Sequence, residues 1–147
     1  MDEKPLIRRR WVAALLILLC WTFLALLFTP QTYLVNQQYP SPLSWGEALA
    51  ANLTVFYLWA ALTPLVLWLG KRFPIERRFL PRNLSIHFIL GLVLTIVHVV
   101  LLRYANYLLL DWTDEQQGPM PFKSLLLGIG ATDILLFWGL LIASQAL

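Results

Sequence analysis

Apolar residues neither alternate along this chain nor recur as a helical stripe; they come in four long blocks. The first is WVAALLILLCWTFLALLF, residues 11–28, uncharged and followed by Thr29-Pro30. The second covers about 48–70, opened by Ser44-Trp45-Gly46-Glu47 with the spacing of a capping box and closed by Lys71 and Arg72. The third covers about 84–110. The fourth covers about 122–147, with Pro119 and Pro121 ahead of it where a first helical turn tolerates proline. A strand would be short and alternating. Blocks of this length, as helices rising ~1.5 Å per residue, match a hydrocarbon layer about 30 Å thick. The pattern predicts an all-α, four-helix transmembrane bundle forming a single transmembrane domain, with a basic loop over 71–83. Pro64 interrupts the second block, removes the bond to Ala60 and predicts a kink. Thr63 offers a hydroxyl to the freed backbone. Thr63 and Pro64 therefore form a candidate hinge, with a fixed packing kink as the other reading.

Composition narrows the class further. The 147 residues are 59% apolar and 13% charged, where a soluble domain has about 45–50% and 25%. This excludes a disordered segment, a basic nucleic-acid-binding domain and an ordinary soluble enzyme. Four spans with short loops leave no length for a soluble domain. Phosphate-loop, GxSxG, HExxH and CxxC patterns are absent from the sequence. No catalytic activity and no cofactor are expected. Cys20 has no second cysteine to pair with and reads as a small buried side chain. The first block resembles a secretory signal, but it is too long, contains Trp11 and Trp21, and lacks a cleavage site, so it reads as an uncleaved span.

Charge orients the spans. Lys4, Arg8, Arg9 and Arg10 precede the first span, and Lys71, Arg72, Arg77, Arg78 and Arg82 lie between the second and third; together they are nine of the eleven cations. Loops rich in Lys and Arg stay cytoplasmic. Both termini are therefore expected in the cytoplasm of a cell whose inner (plasma) membrane holds the chain, with the basic loop on anionic lipid. Trp11 and Trp68 fall at the expected inner boundary, and Tyr33, Tyr39, Trp45 and Trp112 at the outer one, where aromatic rings favour the headgroup level.

Three ionisable residues stand inside the third and fourth blocks: His98, Arg103 and Asp133. Such groups are costly in hydrocarbon and turn inward to partners. His98 lies ~18 Å from the outer end of its helix and Asp133 ~16 Å from the outer end of its own. Consecutive helices with a short connection pack antiparallel, so the two residues share a depth. Arg103 lies ~7 Å nearer the outside, within reach of Asp133 or free to snorkel outward. Three roles stay open for the pair: a structural clamp worth ~1 kcal/mol or less, a proton-sensitive switch, or part of a proton or ion path. Transporters usually have more spans and internal repeats, and no repeat is evident here. His87, three turns before His98, reads as an interfacial residue; no second ligand at i+3 or i+4 supports a metal. Gly91-x-x-x-Thr95, Gly128-x-x-x-Thr132 and Gly139-x-x-x-Ala143 have the spacing of close helix contacts, within the bundle or in a homodimer.

From Trp45 to about Arg103 the chain carries Asn52, Trp59, Thr63-Pro64, Trp68, Arg72-Phe73-Pro74-Ile75-Glu76-Arg77-Arg78, His87, Gly91 and His98. This stretch resembles the N-terminal membrane region of LytS-type sensor histidine kinases, in particular the short four-span versions. The first and fourth spans match in character only. The resemblance implies a membrane input module that relays a signal by helix movement. It further implies a dimer and a cytoplasmic transmitter with a phospho-accepting histidine and an ATP-binding domain, or a response regulator, as partner. None of the transmitter's residues is present in these 147, so no kinase residue is carried over. A small proton- or solute-conducting protein, or a structural subunit of a membrane complex, are the alternative readings.

Overall fold

The four blocks become four helices: α1 (Lys4–Asn36), α2 (Trp45–Arg72), α3 (Leu80–Leu109) and α4 (Phe122–Ala146). The computed structural model describes residues 4–39, 42–75, 80–109 and 122–146; the side chains of 4–10, 80, 106, 107, 109, 122–125, 127 and 146 are not among those described. The side chains of Lys4 and Arg8–Arg10, the whole of Arg77 and Arg78, and Trp112 thus lie outside the described residues. Among the described residues there is no strand. All four helices are long and apolar enough to cross a membrane.

The helices overrun the apolar blocks. α1 passes through Thr29-Pro30 and ends at Asn36. Ending a helix in hydrocarbon strands several backbone groups at once, whereas one proline frees few, so continuation is the cheaper course. Thr29 Oγ1 donates to the Ala25 carbonyl (2.7 Å), and Asn36 Nδ2 to that of Thr32 (2.9 Å). α2 starts with the capping box its sequence announces. The Ser44 N–H donates to Glu47 Oε2 (2.7 Å), and the Glu47 N–H to Ser44 Oγ (3.3 Å). α2 continues across Pro64 and includes Lys71 and Arg72 in its last turn, where cations oppose the negative end of the helix dipole. Arg82 likewise belongs to the start of α3. The connection expected over 71–83 is therefore shorter, because both helices extend into it.

The chain divides into two compact units, Met1–Ala61 and Leu62–Leu147, and the division falls inside α2 just before Thr63-Pro64. In the first unit α1 buries a narrow stripe, Trp21, Ala25 and Thr29, at four-residue spacing. Trp21 stacks on Trp59 with ring centroids 6.1 Å apart and tilts against Phe56, which also meets Phe28. Thr22 and Tyr57 share a hydrogen bond of 3.2 Å, and Tyr33 meets Trp45 edge-on. Cys20 is exposed, not buried as its small size suggested: it sits beside the stripe, a quarter turn or so off its axis.

In the second unit α3 and α4 run antiparallel. Gly91 of α3 meets Phe137 of α4, while Thr95 and His98, further along α3, meet Gly130 and Asp133, which lie earlier in α4. A Cβ on Gly91 would stand 3.0 Å from the Phe137 ring, and one on Gly70 would run into the Ser144 side chain. These are the close approaches. Gly128 and Gly139 have nothing within 4 Å, so their spacing marks an outward face of α4 and no contact within this unit.

Exposed positions are largely apolar, unlike those of a soluble protein, and buried polar side chains lie among buried apolar ones such as Trp59, Val66 and Phe137. Thr29, Asn52, Thr63, Asn83, His87, Thr95, His98, Asp133 and Ser144 are buried, while Leu19, Phe23, Leu34, Phe88, Leu135 and Ile142 are more than half exposed. Exposed apolar surface on this scale suits lipid, not water. The chain is a multi-pass membrane protein.

Candidate functional site

The inward face of α3 is a polar line. Asn83, His87, Thr95 and His98 recur at intervals that keep them on one side of the helix, and all four are buried. α4 answers with Asp133, Phe137, Leu141 and Ser144, also buried. Leucine-rich surroundings drive this arrangement: each polar group must find its partner inside the protein because lipid offers none.

At the middle of the two helices His98 Nδ1 and Asp133 Oδ2 are 2.8 Å apart, with the side chains 0% and 1% exposed. The equal depths inferred from helix rise become a direct hydrogen bond. The arrangement has two chemically distinct forms. With two protons on the imidazole, or one there and one on the carboxyl, the pair is electrically neutral. With one proton fewer it carries a net negative charge. In a low-dielectric interior these forms differ by the solvation of a whole charge, so they favour different packing around them.

Toward the end of α3 that carries Arg82 lie two further polar groups. Thr95 Oγ1 and His87 Nδ1 are buried and have no hydrogen-bond partner among the described residues. His87 was expected at the interface; the structure buries it fully, between the edge of Phe73 and the ring of Phe137. Its Nε2–H donates to the Phe73 carbonyl (2.7 Å).

That bond belongs to a clasp around the exit from α2. Asn83 Nδ2 donates to the Pro74 carbonyl (2.7 Å). Gln145, in the last turn of α4, donates from Nε2 to the Gly70 carbonyl (3.0 Å) and accepts from the Ile75 N–H at Oε1 (3.3 Å). Helix ends leave carbonyls unsatisfied, and here side chains of α3 and α4 take them up. Asn83, Ser144 and Gln145 were not singled out from sequence. The available signal was polar residues facing Gly70 and Pro74 across helix ends, which acquires meaning only once the helices are placed.

The other sequence candidates are dispersed. Arg103 is exposed on α3. Thr63 is buried while Pro64 faces outward. Lys71, Arg72 and Arg82 are exposed at the ends of their helices, and the Arg72 guanidinium lies 5.9 Å from the centre of the Phe73 ring. Among the described residues no three His, Cys, Asp or Glu side chains group to hold a metal. Comparison of the chain with protein-family models, with curated proteins and with solved structures finds no match.

Proposed function

We propose that the chain is the membrane input module of a signalling system, in which the His98–Asp133 bond sets how α3 lies on α4. The observation that carries this reading is the pair itself, a fully buried, proton-sharing contact between two antiparallel helices. The clasp supports it: Gln145 ties the end of α4 to the exit from α2, so a shift of α4 at Asp133 is felt at the basic end. The resemblance to LytS-type membrane regions supports placing that end in the cytoplasm, where a kinase or response regulator would read it. The chain itself does no chemistry in this scheme. Thr63-Pro64, at the division between the compact units, is the place where α2 would bend.

The test uses spin labels at two exposed positions, Ser85 on α3 and Ile142 on α4, with the protein in bilayers. When pH is stepped between about 8 and 5, the label distance is expected to shift by ~1–2 Å, the scale of helix shifts in switching proteins. Asp133→Asn and His98→Gln should abolish the shift. A shift that persists in both variants would reject the pair as the switch.

A further inference from the structure

The two unpartnered polar atoms have an order that the input-module reading does not use. Along α3 the sequence runs His87, Gly91, Thr95, His98, each on the inward face. His87 Nδ1 and Thr95 Oγ1 are both buried without a partner among the described residues. Buried polar atoms in folded proteins are nearly always satisfied, by protein or by internal water. Between these two atoms, Phe137 fills the space that Gly91 leaves, its ring 3.0–3.1 Å from where a Cβ would stand. Phe137 also contacts the His87 ring, with centroids 6.5 Å apart. The inward face thus alternates: a hydrogen-bonding group, an aromatic plug, a second hydrogen-bonding group, then the buried pair.

We propose that the seam between α3 and α4 is a one-sided, water-lined proton path. It joins the basic end of the helices to the His98–Asp133 pair through His87 and Thr95, with Phe137 as its constriction. The inference rests on the pair being protonation-sensitive and says from which side its proton comes. His87 holds its one ring proton on Nε2 against the Phe73 carbonyl, so Nδ1 takes a proton from a water on the basic side and gives that same proton up to the next water inward. Thr95 passes a proton by accepting one at Oγ1 and releasing its own. Each carrier returns to its starting state, so the net event moves one proton from water at the basic end to the pair, and reversal takes it back. His87 and His98 are eleven residues apart, or ~16 Å of helix rise. Several waters must therefore complete the route, and Phe137 must swing aside to let them join. The groups able to hold charge along this seam are few. Residues 84–102 of α3 contribute only His87 and His98, 128–144 of α4 only Asp133, and 62–70 of α2 none, with Lys71 and Arg72 exposed beyond them.

The experiment is water-edited solid-state NMR of the full chain in bilayers, with the exchange of the His98 ring N–H against bulk water as the rate. In the wild type, water magnetisation is expected at His87 and Thr95 before it reaches His98. Thr95→Val should slow exchange at His98 at least tenfold, and Phe137→Ala should speed it by a similar factor, with the Nδ1 shift showing the Asp133 bond intact. Dry signals at both His87 and Thr95 in the wild type, which needs no variant to fold, would overturn the path. So would a Thr95→Val rate within twofold of wild type. A slowed Thr95→Val with unchanged Phe137→Ala would overturn Phe137 as the constriction. The label-distance test is separate. A route-dependent exchange with no pH-driven helix shift would leave the path standing and remove the switch.

Discussion

His98 and Asp133 were legible because depth in a membrane follows from counting residues. Helix rise fixed their levels, and the short connection made the helices antiparallel. Their bond, at 2.8 Å, is what that arithmetic permits. Its strength is a question of magnitude. In a soluble core, removing one partner of a buried ion pair costs about 3–5 kcal/mol. In a bilayer the separated helices find other partners, and measured polar contacts are worth about 0.6–1.7 kcal/mol. The second figure governs here. Asp133→Leu should therefore destabilise the protein by about 1 kcal/mol in reversible unfolding from bilayers or bicelles. Asp133→Asn, which keeps a hydrogen-bonding oxygen, should cost less. The glycines show the opposite case. Spacing identified Gly91, Gly128 and Gly139 alike, yet only Gly91 abuts another helix. Spacing says that residues share a face; it does not say which way the face turns. Gly91→Ala should cost about 1 kcal/mol or more by crowding Phe137, and Gly139→Ala should stay within about 0.5 kcal/mol of wild type. Equal losses at the two sites would contradict the assignment of α4's inward face.

The helices themselves follow from the apolar blocks, but their ends do not. Rules learned in water stop a helix at Thr29-Pro30, and α1 runs on to Asn36 because lipid leaves no solvent to accept loose backbone groups. The start of α2 was readable, since the Ser44/Glu47 exchange is a local contact set by four residues. Ser44→Ala should remove one of its two bonds and destabilise the first turn by about 1 kcal/mol, seen as faster amide exchange at Glu47. The clasp at the other end of α2 was not readable. Gln145 lies seventy residues from Ile75 in the chain, and no local pattern joins them. Gln145→Leu should speed amide exchange at Ile75 while leaving exchange within the capping box at Ser44 and Glu47 unchanged. If Ile75 were equally protected in both proteins, the clasp would not be what holds the exit of α2.

For the molecule as a whole, composition and charge carried the reading furthest. Four helices of spanning length and many exposed large apolar side chains agree with a chain dissolved in lipid. The side on which each end lies rests on the cations, nine of eleven of which gather at Lys4–Arg10 and Lys71–Arg82. In a Cys20→Ala background, single cysteines at Gln38 and Ile75, which flank α2, should react with an impermeant maleimide from opposite faces, Ile75 from the cytoplasm. Labelling of both from one face would mean that α2 does not cross. The strength of the pair depends on that environment, since the same hydrogen bond exposed to water would be worth little.

The nitrogen-15 spectrum of the His98 ring in bilayers tests the central claim most directly. A hydrogen-bonded Nδ1 that shifts on Asp133→Leu, with ring contacts to interior side chains and none to lipid headgroups, is the expected result. A His98 signal that ignores Asp133→Leu, or that contacts headgroups, would contradict a buried pair joining α3 to α4.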